Sequence, residues 1–313
     1  MNINEWIGDN TSSLKGKRVA ISGTTGGIGR ELCKIILKLG GDIIMLDRSY
    51  ERAMALKEEL CAKFPNSSIE YMRLDLEDVE CVTQVTEILT SDTPDHLILN
   101  AGIYHVPKKK CALGYNNILQ VNYISPYYMA RSLLPKIKDR GGRIIAVGSI
   151  AHRYSETDDN DYDFSLRSAS SLAYGNAKRR LMYSFAELGD GAYIAHPGIT
   201  FTNITAHYPK LIFAIIKHPM KVIFMKPRSA CLSIVKAMFA DIEPKCWVGP
   251  RFFDVWGRPS IKPLGRIKEA EQEKISAFAE KCYNEMKGAV TFGKTEKDRK
   301  IPKNHLKYSK NHK

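Results

Sequence analysis

The stretch from Arg18 to Leu37 places the strongest constraint on how this chain folds. Apolar residues stand at near-alternate positions up to Ser22, a glycine cluster follows, and apolar residues then recur at helical spacing. A change of period from two to about 3.6 across glycines is typical of a strand, a tight turn and a helix. Gly23, Gly27 and Gly29 would let the chain turn sharply and bring its backbone close to a pyrophosphate, which the N-terminus of the new helix would face. The stretch therefore predicts a dinucleotide cradle.

A second apolar run, from Gly41 to Asp47, predicts a buried strand that ends in an acid 18 residues past Gly29. A carboxylate at this place can accept both hydroxyl hydrogens of a ribose and repel a 2′-phosphate. Asp47 therefore favours NAD as the cofactor. Arg48, the next residue, is placed to receive a 2′-phosphate, so NADP stays open as the alternative.

Strand and helix patterns alternate through the first hundred residues without an internal repeat. We expect helices over Tyr50–Phe64 and Val79–Leu89, and strands over Ile69–Leu74 and Asp95–Leu99. Such alternation indicates a parallel, doubly wound sheet, in which the ligand crevice lies at the carboxyl ends of the strands. The glycine turn, Asp47, Asp75 and Asn100 would all lie at that edge.

The length and composition fit one large α/β domain without membrane spans or metal. The chain has 313 residues, and its longest tight apolar cluster, Leu211 to Ile216, is far too short to cross a bilayer. The first residues show no basic-then-apolar pattern, so we expect a cytoplasmic protein. The seven cysteines include no C-x-x-C pair, and neither they nor the histidines show metal-ligand spacing. We therefore expect reduced thiols and no metal site.

The net charge of +13 is concentrated at the C-terminus. Residues 287–313 contribute nine Lys or Arg against two acids, which gives +7 for this segment and +6 for the rest of the chain. We expect a disordered, solubilising tail and no nucleic-acid partner. Weak contact of the tail with an anionic surface is the alternative.

Several motifs in register resemble the short-chain dehydrogenase/reductase family. Ser22-Gly23-Thr24-Thr25-Gly26-Gly27-Ile28-Gly29 resembles its Thr-Gly-x-x-x-Gly-x-Gly motif, with Ser22 in place of the usual threonine. Asn100-Ala101-Gly102 resembles the family's Asn-Ala-Gly motif, and Asn122 stands at the place of its active-site Asn. Ser149 matches the strand-ending Ser, and Tyr174 with Lys178 matches the Tyr-x-x-x-Lys pair. Pro197-Gly198 with Thr202 matches the Pro-Gly-x-x-x-Thr motif, and all of these follow in family order. The resemblance covers roughly residues 17–205.

The resemblance implies a Rossmann fold with a C-terminal substrate lid, at about residues 203–228, and an extension. It also implies a homo-oligomer and catalysis by Tyr174 as acid/base, Lys178 as its partner, Ser149 on the substrate oxygen and Asn122 in a water relay. The cofactor residues it implies are Gly23, Thr24, Thr25, Gly27, Ile28, Gly29, Asp47, Arg48, Asp75, Leu76, Asn100, Ala101, Gly102, Tyr174, Lys178, Pro197, Gly198, Ile199 and Thr202.

The spacing of Tyr174 and Lys178 gives this pair a chemical rationale. Residues four apart on a helix lie on one face. A nearby ammonium favours the phenolate, so we expect the pKa of Tyr174 to be lowered by about 1 to 3 units. A phenol tuned in this way can accept a proton from an alcohol or donate one to a ketone.

The substrate would be recognised outside these motifs. Ser149 and Tyr174 are 25 residues apart, and this long gap resembles the retinol-dehydrogenase-like branch, which acts on lipid or steroid alcohols. The inserted residues Tyr154–Leu172 are either a solvated loop or a substrate-recognition loop. The segment Tyr208–Met225 mixes apolar residues with lysines and prolines. One hypothesis is that it covers an apolar substrate, which it could also take from a membrane surface. The alternatives are core packing and a subunit interface.

The predicted organisation is a leader over residues 1–16 with Trp6 docked on the body, a dehydrogenase domain over 17–286 and the tail over 287–313. The predicted function is NAD(P)-dependent interconversion of a secondary alcohol and a ketone. A sugar-nucleotide epimerase or dehydratase is one alternative, although its usual Gly-x-x-Gly-x-x-Gly spacing is absent. A catalytically silent dinucleotide sensor is the other.

Overall fold

The first strand contributes apolar side chains to both faces of the sheet. In the computed structural model, which describes residues 2–167, 169–200 and 225–292, strand β1 covers Arg18–Ser22. Ala20 belongs to one apolar cluster, whereas Val19 and Ile21 belong to a second cluster. Because neighbouring side chains of a strand point to opposite faces, the two clusters lie on opposite sides of the sheet.

The described elements follow the predicted alternation of strands and helices. The further strands are β2 Asp42–Asp47, β3 Ile69–Arg73, β4 His96–Leu99, β5 Arg143–Val147, β6 Ala192–Ala195, β7 Cys246–Phe252 and β8 Trp256–Pro263. The α-helices are α1 Ile3–Asn10, α2 Gly27–Lys38, α3 Tyr50–Lys63, α4 Val79–Ser91, α5 Asn117–Leu119, α6 Ser125–Asp139, α7 Ser170–Glu187, α8 Pro227–Ala230, α9 Leu232–Phe239 and α10 Glu269–Phe292. A π-helix over Gln120–Ile124 joins α5 to α6, and a 3-10 helix covers Ile150–Tyr154.

The strands form one sheet in the order β3-β2-β1-β4-β5-β6-β7-β8. Neighbours from β3 to β7 are parallel, and β8 runs antiparallel to β7. The order reverses between β1 and β4, and doubly wound sheets bind their ligands at such a reversal. The predicted doubly wound Rossmann sheet is confirmed. The antiparallel strand β8 was not predicted.

The first residues form a helix that packs on the body of the protein. Helix α1 begins after Asn2, whose side chain accepts a hydrogen bond from the backbone N–H of Asn4 at 3.1 Å. Trp6 and Ile7 of this helix are buried in the second apolar cluster. The sequence indicated the docking of Trp6 but not the helix that presents it.

The last described helix, α10, runs six residues past residue 286, where the predicted dehydrogenase domain ends. Its residues Phe278 and Cys282 are buried in the first cluster. None of the helices within the described ranges combines the length and the apolar character needed to cross a bilayer. Residues 203–224 of the predicted lid and residues 293–313 of the predicted tail lie outside the described residues. The domain limits remain predictions.

Candidate active site

The glycine turn between β1 and α2 requires glycine at two positions for different reasons. Gly23 has a φ of +73°, in the left-handed region that side chains rarely adopt. Gly29 lies so close to the turn that a Cβ would be 2.1 Å from the carbonyl oxygen of Gly23. The first glycine therefore permits the bend, and the second permits the close packing of α2 on it.

A cavity of about 330 Å³ opens beside this turn at the carboxyl edge of the sheet. It contains most of the predicted cofactor residues, namely Gly23, Thr25, Gly27, Ile28, Gly29, Asp47, Arg48, Asp75, Leu76, Asn100, Ala101 and Gly102. It also includes residues that the sequence did not indicate, namely Gly26, Leu46, Ser49, Arg52, Leu74, Glu77, Ile103 and Val121. Thr24 is not in this lining, because its side chain is buried behind the turn.

Asp47 holds the glycine turn in place through hydrogen bonds. Its carboxylate accepts hydrogen bonds from the hydroxyl of Thr24 and from the backbone N–H and the hydroxyl of Thr25, the latter two at 3.1 Å.

Two arginines, Arg48 and Arg52, lie at the same end of the cavity. The Arg48 guanidinium lies 3.6 Å from the Glu77 carboxylate, and that of Arg52 donates to the carbonyl of Thr25 at 3.3 Å.

The Asn-Ala-Gly segment after β4 is tied to the same turn. The side-chain amide of Asn100 donates to the carbonyls of Ser22 and Gly23 at 3.0 and 3.1 Å. The hydroxyl of Ser22 accepts a hydrogen bond from the backbone N–H of Ala101 at 3.0 Å. Serine thus keeps the hydroxyl that the family's threonine supplies at this position.

Tyr174 and Lys178 lie on one face of α7 beside the end of β5. The Lys178 Nζ is 5.7 Å from the centre of the Tyr174 ring and donates to the carbonyl of Val147 at 2.7 Å. Burial lowers the pKa of Lys178 to about 7. Burial therefore makes this lysine a weaker base than an exposed lysine.

The predicted lowering of the Tyr174 pKa is not seen. Burial raises the pKa of Tyr174 to about 12, although a hydrogen bond with Ser149 acts in the opposite direction. The expectation fails because removal from water disfavours the phenolate, and the Lys178 ammonium donates to the carbonyl of Val147. The ring of Tyr104 packs edge-on against that of Tyr174, with 4.9 Å between the ring centres, and extends this shielding.

Asn122 lies within the π-helix and holds the segment that faces Lys178. Its side-chain amide donates to the carbonyls of Ile103 and Ile118, both at 2.9 Å, and its oxygen accepts from the N–H of Ile103 at 3.2 Å. A Cβ on Gly102 would lie 2.8 Å from that oxygen and 3.9 Å from the Lys178 Nζ. Asn122 and Lys178 therefore flank the same glycine.

Ser149 follows β5 and caps the 3-10 helix. Its hydroxyl accepts a hydrogen bond from the N–H of Ala151 at 3.2 Å, and its carbonyl lies 2.7 Å from Nδ1 of His152. Burial lowers the pKa of His152, so its ring is a neutral structural neighbour at physiological pH. The structure brings Ser149 to Tyr174, as the motif spacing predicts.

The Pro197-Gly198-Ile199 segment lies against the hairpin formed by β7 and β8. The N–H of Ile199 donates to the carbonyl of Val255 at 3.2 Å, and a Cβ on Gly198 would lie 2.6 Å from the same oxygen. His196, just before this segment, is buried and contacts the Asp254 carbonyl through Nε2 at 2.9 Å. Thr202 lies outside the described residues.

An apolar cluster borders Tyr174 on the side of the inserted loop. Ile118, Phe164 and Ala173 are buried together, and Ile103, Val106 and Tyr174 pack against them. The Lys108 ammonium donates to the carbonyls of Phe164 and Arg167 and so holds the loop in place. This part of the insertion is therefore a packed wall and not a solvated loop.

The residues that the sequence analysis missed carry only weak signals in the sequence. Tyr104 is two positions past the Asn-Ala-Gly motif, and Arg52 is four positions past Arg48. Lys108 contacts a carbonyl 56 residues away, a relationship that only the folded chain establishes.

Comparison with solved structures supports the architecture. The chain superposes on a crystal structure of an uncharacterized protein from Mycobacterium paratuberculosis with a TM-score of 0.67 and 22% identity, covering 90% of this chain and 96% of that one. A short-chain dehydrogenase from Sphingobium yanoikuyae in complex with NADPH gives a TM-score of 0.55 at 21% identity, covering 70% and 83%. At these identities the likeness is one of fold.

Comparison with curated sequences gives relatives of the same kind. Retinol dehydrogenase 12 of Mus musculus is 27% identical over 202 residues, a match that spans 61% of this chain and 64% of the mouse protein. An uncharacterized oxidoreductase of Schizosaccharomyces pombe is 27% identical over 305 residues, which span 90% of this chain and 87% of the yeast protein. The family model described as short chain dehydrogenase matches residues 17–207. Together with the glycine turn and the Tyr174 site, this match places the chain in the short-chain dehydrogenase/reductase family of oxidoreductases.

Proposed function

We propose that this protein interconverts an alcohol and a ketone on an apolar skeleton with a nicotinamide dinucleotide as the hydride carrier. The observation that supports this function best is that Ser149, Tyr174 and Lys178 converge beside the glycine-turn cavity. A nucleophile or a metal is not needed for such chemistry, because the protein supplies orientation and a proton.

The cavity residues fit the cofactor. Gly29 has no room for a side chain beside the carbonyl of Gly23, so backbone N–H groups and the start of α2 face the cavity where a pyrophosphate would bind. Asp47 would hold the adenosine ribose and makes NAD the preferred form, with Arg48 the residue that would admit NADP. Asp75, Leu76 and the Asn100-Ala101-Gly102 segment would contact the adenine and ribose portions. Residues Pro197, Gly198 and Ile199 would hold the nicotinamide, whose ring carbon accepts or gives the hydride when bound. The family motif adds Thr202 to this set.

Tyr174 would exchange the proton with the substrate oxygen, and Ser149 would hold that oxygen by a hydrogen bond. With a pKa near 12, Tyr174 keeps its proton at neutral pH, the state required to protonate the oxygen of a ketone as it is reduced. Lys178, with a pKa near 7, can hold or release a proton next to Tyr174 and return it through Asn122 and water. The protonated phenol is thus the form that ketone reduction uses and that alcohol oxidation would regenerate.

The apolar cluster beside Tyr174 supports a hydrophobic substrate. The ring of Tyr174 packs against the buried side chains of Phe164 and Ile118, so the proton donor is backed by apolar groups on this side. The relative named retinol dehydrogenase 12 fits the same substrate class. We therefore propose a steroid-like or other lipid-like ketone.

This function is tested by following the oxidation of NADH or NADPH through the absorbance at 340 nm. The substrates are a panel of steroid, retinoid and short aliphatic ketones or aldehydes. We expect oxidation of the cofactor with hydrophobic members of the panel, and a lower KM for NADH than for NADPH. Saturable dinucleotide binding without turnover of any member would instead identify a dinucleotide sensor.

A further inference from the structure

The tip of the β7–β8 hairpin carries a cluster of exposed aromatic side chains. Phe252 is 52% exposed, Phe253 80% and Trp256 43%. Phe252 and Trp256 are directly paired across the ladder, and the ring centres of Phe253 and Trp256 are 6.1 Å apart. Clustered exposed aromatics on a soluble domain mark an interaction surface.

The turn that presents these rings is fixed to the body of the protein. Phe253 and Asp254 both have positive φ values, of 50° and 59°. The Asp254 carboxylate is buried and bonded to Lys262 and, at 2.8 Å, to Arg153, while its carbonyl accepts from His196. A bulky residue such as phenylalanine is strained in this region of backbone space, yet it is held there with its ring in solvent. The exposure of Phe253 is therefore built into the fold.

The charges around the tip are mainly positive, because Arg251, Arg258 and Lys236 line a cavity that includes one acid, Asp9. Arg251 and Arg258 are exposed, border one shallow cavity of about 480 Å³, and have no ion-pair partner within the described part of the chain. The only acid between Cys246 and Pro263 is Asp254, and its carboxylate is buried in ion pairs. The surface thus combines aromatic rings with unpaired arginines, the pairing that suits the interface of an anionic bilayer.

The tip lies at the same edge of the sheet as the candidate site. Strand β7 is parallel to β6, so its end at Phe252 lies beside the segment that follows β6. Val255 in the turn accepts the hydrogen bond from Ile199 next to the predicted nicotinamide site. A surface engaged by this tip would therefore face the substrate entrance.

We propose that the hairpin tip Arg251–Arg258 docks on anionic phospholipid surfaces and so presents the site to substrates dissolved in the membrane. The idea that the substrate comes from the membrane rests on the proposed function, whereas the docking of the tip on a membrane does not depend on it. Pairing of two copies through β8 is disfavoured because Pro259 and Pro263 lack the N–H groups that an added strand would use.

Sedimentation of the full-length protein with vesicles tests the docking. We expect binding to vesicles of phosphatidylcholine mixed with phosphatidylserine, and little binding to phosphatidylcholine alone. The double variant Phe253→Ser/Trp256→Ser should bind about tenfold more weakly or worse, and Arg251→Gln and Arg258→Gln about fivefold more weakly each. Leu166→Ser is the matched control, because this residue is 85% exposed elsewhere on the surface.

Unchanged binding of the aromatic double variant would assign vesicle contact to the C-terminal lysines and overturn the proposal. The proposal would also be overturned if the wild type bound no vesicles, formed a dimer, and became monomeric in the double variant. That result would assign the aromatic tip to contact with a second copy of the chain. Reduction of a hydrophobic ketone dissolved with a little co-solvent, measured without vesicles, reports on the proposed function alone. Vesicle binding without that activity would contradict only the function, and the reverse result would contradict only the docking.

Discussion

The Nζ of Lys178 lies 5.7 Å from the centre of the Tyr174 ring, and both groups are removed from water. Burial therefore acts on the two partners in opposite directions, raising the pKa of the phenol to about 12 and lowering that of the amine to about 7. Both shifts favour the neutral pair. A phenol that keeps its proton suits the donation required in ketone reduction, and this leads to the first two predictions.

Tyr174→Phe should reduce turnover by about 10²- to 10⁴-fold, because it removes the group that transfers the proton. Dinucleotide affinity, measured by quenching of intrinsic fluorescence, should change little. Tyr193→Phe serves as the control, since the Tyr193 hydroxyl bonds to Asp190 at the surface. Equal turnover of the Tyr174 variant and the wild type would contradict the proposed role.

The stability of the protein should rise with pH between about 7 and 10. The unfolded lysine keeps its ordinary pKa of 10.5, while the folded Lys178 titrates at about 7, so the unfolded state binds more protons in this window. From pH 7 to pH 9 the contribution of Lys178 to the free energy of unfolding should increase by about 2 kcal/mol. Urea unfolding at both pH values should show a smaller increase in Lys178→Met. An identical increase in the variant would mean that other groups cause it.

Cofactor preference should follow the residues at the end of β2. Asp47→Ser should weaken NADH binding and improve the use of NADPH, because it removes the negative charge that a 2′-phosphate would meet. It also removes the acceptor for Thr24 and Thr25, so thermal unfolding should be measured in parallel. Arg48→Ala should affect NADPH more than NADH. Loss of both cofactors in the Asp47 variant without loss of folding would show that this carboxylate acts by supporting the turn.

Gly29→Ala should destabilise the turn by about 1 to 3 kcal/mol and reduce dinucleotide affinity. The new Cβ would approach the Gly23 carbonyl oxygen to 2.1 Å, so the helix start must move. Gly8→Ala is the control, because a Cβ there meets nothing within 4 Å. That variant should be slightly more stable than the wild type in thermal unfolding. Normal cofactor binding by Gly29→Ala would show that the cavity tolerates a displaced helix.

Lys108→Met should raise KM for hydrophobic ketones more than it lowers kcat. The Lys108 ammonium holds the carbonyls of Phe164 and Arg167, and its loss would loosen the apolar wall without touching the proton donor. Lys110→Met, two residues away and exposed, is the matched control. A fall in kcat alone would place the effect of Lys108 at the chemical step and not in substrate binding.

Sequence patterns predicted the elements that repeat a simple period. Strands β1, β2 and β4 have continuous apolar runs because both of their faces are buried, and the glycine turn shows a clear change of period. Strand β8 escaped prediction because its exposed edge carries polar residues and the prolines Pro259 and Pro263, which argue against a strand. The helix over Ile3–Asn10 was missed because it is short and has only two buried side chains.

The family resemblance predicted that Ser149, Tyr174 and Lys178 lie near one another, which the structure shows, and their catalytic roles remain predictions. The electrostatics of the site could not be predicted in this way. The sign of the Tyr174 pKa shift depends instead on how much water the fold removes, and that includes the Tyr104 ring, which arrives from a loop after β4. Local spacing carries no information about such packing.

The π-helix around Asn122 determines how the loss of one residue from this turn would affect the position of the Asn122 side chain. The backbone N–H of Ser125 donates to the carbonyl of Gln120, five residues earlier, so this turn contains one residue more than an α-helical path between the same ends. Deleting a single residue from the turn would let α5 and α6 merge into one regular helix while swinging the Asn122 side chain away from Gly102. Homologous chains that differ by one residue at this point would thus share the same sheet and lack the amide that faces Lys178.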